Sequence, residues 1–173
     1  MHEDGSVPMT LWTAEWHSAM ARSEDLAMED QAKNNTAYML LGLVDVAGPG
    51  FSAVAGDDVI PVEGLRRRLT QAAEAARQPH GAETHGVLAR WWGRTRRTRR
   101  SGTDDYDVAA DAFLIDVGDA MRDGRVTAPV DGAQLALVVL QPVAVASQHL
   151  TALGFDPSPI RDRARQYVVQ ESP

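Results

Sequence analysis

The stretch N-N-T-A-Y-M-L-L-G-L-V at residues 34–44 organises the chain. A long helical pattern rich in Ala and acidic residues precedes it. A polar turn follows, and then a short apolar run with a small residue, Gly42, near its centre. The order recurs around V-D-G-A-Q-L-A-L-V at residues 130–138, with Ala136 in the central place. Aligned at an interval of 94, Leu41 faces Leu135, Leu43 faces Leu137, Trp12 faces Tyr106 and Thr13 faces Asp107. Identity between the copies is otherwise low, so the repeat rests on pattern.

Around these stretches the signals are helical. Thr13 is placed to cap a helix whose N3 residue is Trp16, and Trp12, Trp16, Met20 and Ala27 fall near one stripe. Its end is expected at Lys33, Asn34 and Asn35, residues that favour turns. Thr36 then caps a second helix with Met39, Leu40 and Leu43 on its buried face, stopped by Gly48, Pro49 and Gly50. A short apolar piece covers 51–55. After Pro61 comes a strongly helical run with Leu65 and Leu69 four apart.

In the second half a helix over 108–122 presents Phe113, Val117 and Met121, and Gly124 ends it. Pro129, Pro142 and Pro159 open three more, reaching Leu140, Leu153 and Val168. No β alternation is visible. The expectation is an all-α fold of two pseudo-repeats of about four helices. Residues 1–9 form a loose N-terminus, 10–77 the first repeat, 78–105 an Arg-rich linker and 106–169 the second repeat.

Composition narrows the setting. The hydrophobic fraction of 44% suits a folded globule, and zero Cys excludes disulfides and thiolate metal sites. There is no run of about 18 or more apolar residues, and the start M-H-E-D-G is unlike a signal peptide, so a cytoplasmic protein without a membrane span is expected. The net charge is −7, yet six Arg lie between residues 90 and 100; without them the remainder stands at −13, so the charges are segregated along the chain.

That basic stretch, R-W-W-G-R-T-R-R-T-R-R, holds Arg90, Trp91, Trp92, Arg94, Arg96, Arg97, Arg99 and Arg100. It suits a solvated loop folding onto an acidic body, docking on an acidic protein, or nucleic-acid binding through phosphate contacts and base stacking. The first two rank ahead of nucleic acid because no nucleic-acid-binding motif accompanies the run. His80 and His85, with Glu83 between them, are five apart and do not share a helical face, so no metal site is expected there. His149 reads as a packed or surface histidine, and no nucleophile motif surrounds any Ser.

The layout resembles the N-terminal domain of the Clp/Hsp100 unfoldases, above all the ClpC type, whose two four-helix repeats each carry an F-T-x-x-A opening and a T-E-H-L-L-L-G-L signature. The first signature matches Thr36, Ala37, Tyr38, Met39, Leu40, Leu41, Gly42 and Leu43, and the second, degraded, matches residues 130–137. The openings match Trp12 with Thr13 and Tyr106 with Asp107, and a further family ending matches Leu150, Leu153, Gly154, Phe155 and Asp156. The repeat spacing exceeds the family's usual period by the linker.

The phosphate-cradling G-x-x-x-x-G-K-[ST] loop of the family's motor is nowhere in this sequence, and its one lysine, Lys33, follows Ala32. The resemblance therefore implies a non-catalytic receptor module, with no cofactor and no metal. It implies binding of a peptide, a degron-bearing protein or a cyclic-peptide antibiotic, as adaptor, competitor or decoy for a Clp ATPase and its substrates. The Glu that the family uses toward arginine-phosphorylated substrates is replaced by Ala37 in the first signature and by the shorter Asp131 in the second. The groove between the openings would take Met9, Trp12, His17, Ala21, Glu24, Tyr106 and Asp111, with Asp131 beside it. Trp12 reads first as a core anchor, Tyr106 equally as a core anchor or a ligand wall, and Asp131 first as a charge favourable to a helix N-terminus.

Overall fold

A computed structural model describes residues 12–77 and 130–171. Among them the regular structure is helical: α1 Ala14–Glu29, α2 Thr36–Val46, α3 Pro49–Ala55, α4 Val62–Arg77, α5 Gly132–Val139, α6 Val145–Ala152 and α7 Ser158–Glu171. The one β feature described is an isolated parallel bridge between Trp12 and Val130. The all-α expectation holds for these residues. The expected helix over 108–122 and the Arg-rich linker lie outside them.

Local chemistry sets the helix ends, and it moves several of the expected ones. Thr13 does cap α1, its Oγ1 accepting the Trp16 N–H at 3.3 Å. The helix ends at Glu29, earlier than the Asn pair suggested. Gln31 turns left-handed (φ 51°), its N–H bonds to the Met28 carbonyl at 3.0 Å and the Ala32 N–H to the Ala27 carbonyl at 2.8 Å. This closes the helix as a glycine would, with a side chain in the glycine's place.

The cap of α2 is Asn35 and not Thr36: the Asn35 Oδ1 accepts from the Ala37 and Tyr38 N–H groups at 2.9 and 3.4 Å. Nor do Gly48, Pro49 and Gly50 stop α2. Ala47 ends it in the left-handed region (φ 46°), and Gly48 and Pro49 already open α3. In the second half the openings fall at Gly132, Val145 and Ser158 instead of at prolines. A reciprocal capping box between Asp131 and Gln134 starts α5, Pro142 lies in the turn after it, and Pro159 is the second residue of α7.

The core is built around α2, in which every residue from Thr36 to Leu43 is buried. Leu40, Leu41 and Leu43 are all but inaccessible, each contributing about 1.5–3 kcal/mol of burial free energy. Gly42 lets α1 approach closely. A Cβ there would overlap the Ala19 carbonyl and stand 3.1 Å from the Ser23 nitrogen. Around α2 lie α1, α4, α5 and α6, while α5 is packed by α1, α3, α6 and α7 as well.

The helix starts carry a regularity that letter matching misses. Thr36 to Gly132, Pro49 to Val145 and Val62 to Ser158 are each 96 residues apart, which replaces the interval of 94. At that interval the caps Asn35 and Asp131 correspond, as do Pro61 and Pro157. Packing follows the same correspondence. The helices α2 and α6 pack together as α5 and α3 do, α4 packs on α6 as α7 packs on α3, and α2 meets α5.

Candidate functional site

The parallel bridge is where the entry to α1 meets the entry to α5. The Thr13 N–H donates to the Val130 carbonyl at 3.0 Å, and the Thr13 hydroxyl donates to the same oxygen at 3.1 Å. Trp12 precedes this joint. Its ring lies 4.1 Å from that of Trp16 between centroids, tilted by 33°, and His17 meets Trp16 edge-on at 5.7 Å. All three rings are half-buried. The Trp16 Nε1–H is shielded from solvent and has no acceptor among the described residues.

His17, Ala21 and Glu24 follow at i, i+4 and i+7, so they share one face of α1, on which Ala21 and Glu24 are exposed. Asp131 stands directly after the bridge residue Val130. Its Oδ1 is committed to α5, accepting from the Ala133 and Gln134 N–H groups at 2.9 and 3.2 Å, while the Gln134 Oε1 accepts the Asp131 N–H at 2.7 Å. The helix-terminal reading of Asp131 therefore describes its observed bonds. Met9, Tyr106, Asp111 and the Arg and Trp residues of 90–100 lie outside the described residues.

A buried carboxylate that sequence reasoning passed over holds this joint. Glu15 accepts the Gly50 N–H through Oε2 at 3.1 Å and the Phe51 N–H through Oε1 at 2.8 Å, closing the N-terminus of α3. Such a carboxylate satisfies two otherwise orphaned donors and complements the positive end of the helix. Three glycines make room for it. A Cβ on Gly48 or Gly132 would overlap the Glu15 side chain, and one on Gly50 would stand 2.9 Å from Oε2 and 2.8 Å from the Asp131 carboxyl. In the sequence Glu15 is one acidic residue in a first helical turn, with nothing to show that it faces inward.

The corresponding place in the other half explains the arrangement. Ala146 lies 96 residues after Gly50, and its N–H donates to the Thr36 Oγ1 at 3.2 Å in a buried setting. Thr36 is thus a cap after all, but for α6, whose own N-cap residue Ala144 makes no side-chain bond. Gly132 corresponds to Thr36 and has no hydroxyl to offer α3. The Glu15 carboxylate occupies the space that its side chain would fill.

Farther from the joint, two networks fix the outer helices. Asp45 accepts from Arg22 Nε at 2.8 Å and Arg66 Nη2 at 3.3 Å, linking α1, α2 and α4. Asp30 accepts from the Tyr38 and Thr70 hydroxyls at 2.9 and 3.0 Å. Burial, then the bond to Asp30, pushes the Tyr38 phenol well above its ordinary range. His149 is half-buried as anticipated, with its Nδ1 accepting from Arg68 Nε at 3.2 Å.

Among the described residues no three His, Asp or Glu side chains come together as metal ligands, and no single helix is long and apolar enough to cross a membrane. Two tilted indole rings lie beside a helix junction held by a buried carboxylate. A scan of the sequence against protein-family models finds no match, and a search of curated proteins finds none either.

Proposed function

We propose that this chain is a non-catalytic peptide- and protein-binding module, built from two related helical units in the manner of a Clp unfoldase N-terminal domain and acting as adaptor, competitor or decoy for ligands of a Clp protease. The observation that carries the proposal is the common interval of 96 residues between three pairs of helix starts, together with the reciprocal packing of those helices. Two units with closely matched element order are what the sequence resemblance implies. The joint supports the location of the binding surface: the half-buried Trp12 and Trp16 pair gives an apolar wall, and the exposed Ala21 and Glu24 continue it along α1. Indole pairs of this kind supply large contact area at low entropic cost.

Isothermal calorimetry against a hydrophobic cyclic peptide and against an unfolded substrate of a Clp protease tests the proposal. Binding to either class, weakened about tenfold or more by Trp12→Ala, is expected from the loss of one aromatic anchor. Absence of heat with both ligands, for a protein whose helicity is intact, overturns it.

A further inference from the structure

Each half of the molecule sets an arginine against the last turn of a helix from the other half. The buried positions of α4 include Leu65 and Leu69, and those of α7 include Ile160 and Ala164; Arg68 and Arg163 each stand immediately before the second of the pair. Arg163 reaches the end of α3. Its Nε donates to the Val54 carbonyl at 2.6 Å and its Nη2 to the Ala55 carbonyl at 2.9 Å, and it also pairs with Asp58. Arg68 reaches the last turn of α6, where it meets a titratable ring, His149, through one bond of 3.2 Å. The first seam uses backbone carbonyls and a carboxylate, and the second uses an imidazole lone pair.

We propose that the Arg68–His149 contact is a pH-sensitive latch that frees α4 from α6 on mild acidification, while the matching seam between α7 and α3 stays closed. The bond has one consistent protonation state. Arg68 Nε can only donate, so His149 Nδ1 must present its lone pair and the ring must be neutral, with its proton on Nε2. Protonation puts an N–H on Nδ1 that faces the guanidinium. The hydrogen bond is lost and two cations oppose each other across the same short gap. Arg68 does not relieve this by losing its own proton, because guanidinium stays charged throughout the range.

Among the described residues, the helices packed against α6 offer the ring no compensating anion. Helix α6 is packed by α2, α4 and α5. On α2 the titratable side chains are Tyr38 and Asp45, already bonded to Asp30 and to the Arg22–Arg66 pair. Helix α5 has none. On α4, Glu63, Arg66 and Arg67 flank Arg68, and Arg68 is the charged group felt by the ring. The end of a helix favours a cation, which opposes the effect. Burial first, and Arg68 second, outweigh it and hold His149 below its ordinary value of 6.5.

The sign follows from linkage. A released or unfolded α4 leaves His149 free to take a proton near pH 6.5, whereas the closed form refuses it until lower pH. The contribution of the closed seam is therefore complete above about pH 6.5 and is lost as pH falls through the lowered value. Helix α4 is suited to respond locally. Apart from the buried Leu65, Leu69 and Ala73, its residues are exposed or half-buried, and its other polar ties run to Asp30 and Asp45 on the side of α1 and α2.

Hydrogen-exchange protection factors of the amides in α4 and α7, corrected for intrinsic rates and compared at pH 7.5 and pH 5.0, test the latch. In the unmodified protein the α4 amides are expected to lose roughly threefold or more in protection relative to α7. In His149→Asn, whose Oδ1 accepts from Arg68 and does not titrate, that relative change disappears. In Arg68→Met, which keeps the aliphatic stem and removes the cation, it shrinks, so the test survives a failure of either variant to fold. Equal loss in α4 and α7 overturns the proposal, as does the same relative loss in the Asn variant.

Discussion

Replacing Glu15 by Ala leaves the Gly50 and Phe51 N–H groups without their acceptors, in a site where the glutamate is only 9% exposed. A hydrogen bond to a charged group contributes about 1.5–3 kcal/mol, so losing both costs about 3–6 kcal/mol. Gly132→Ala attacks the same contact from the other side. Its Cβ would stand 2.6 Å from the Glu15 carboxyl carbon and 2.9 Å from the Phe51 nitrogen, so the carboxylate must leave and the cost is of the same order. Once Glu15 is gone, the nearest remaining neighbour is the Phe51 nitrogen at 2.9 Å, a smaller overlap than that with the Glu15 Oε1, and Ala then brings its higher helix propensity.

The two substitutions are therefore strongly coupled: the double variant is expected to be more stable than the sum of the singles predicts by about 2 kcal/mol or more. Urea unfolding followed by far-ultraviolet circular dichroism at pH 7 measures all four corners of the cycle. Glu15→Gln, which keeps one acceptor, should lie between the parent and Glu15→Ala. Additivity within about 0.5 kcal/mol would refute the account of Glu15 as the side chain that fills the place vacated at Gly132.

Other consequences can be measured on the same material. Gly42→Ala gains helix propensity but drives a Cβ into the backbone of α1, so a net loss of about 1–3 kcal/mol is expected in the same unfolding assay. Thr36→Val keeps the shape and removes the acceptor for the Ala146 N–H, which should cost about 1–3 kcal/mol and loosen the first turn of α6 in amide exchange. The raised value of the Tyr38 phenol means that the folded form keeps a proton that the unfolded chain releases near pH 10. Stability should therefore be complete below that pH and fall as pH rises above it. An absorbance titration at alkaline pH should show one of the three tyrosines ionising only with unfolding, and Tyr38→Phe should remove that step.

Local chemistry was legible wherever a signal acts through neighbours in the chain. Thr13 as a cap, Pro61 before α4 and the Leu65 and Leu69 pair all lie where short-range rules put them. Where two short-range signals compete, contacts elsewhere decide. Asn35 outranks Thr36 as the cap of α2 because the Thr36 hydroxyl is turned inward to α6, and Gln31 takes a left-handed turn that its side chain would not announce. The interval of 94 read from the letters differs from the 96 residues that separate three pairs of helix starts. Leu-rich runs align at several registers, whereas caps and helix starts align at one.

Of the candidate site, the aromatic opening of α1 and the role of Asp131 at a helix end could be read directly, because both depend on adjacent residues. Glu15 could not. Its significance rests on Gly48, Gly50 and Gly132, the last of which is 117 residues away, and spacing in a sequence does not encode a convergence of that range. The sequence by itself determined that the described residues are helical and where α1 and α4 begin, since caps and turns are built from residues within a few positions of each other. The tertiary structure alone decided which distant polar groups meet: the buried Glu15 at the head of α3 and Thr36 at the head of α6, and the half-buried Arg68 against His149 where Arg163 meets carbonyls. A buried donor must find its acceptor in space, and only packing determines which acceptor is there.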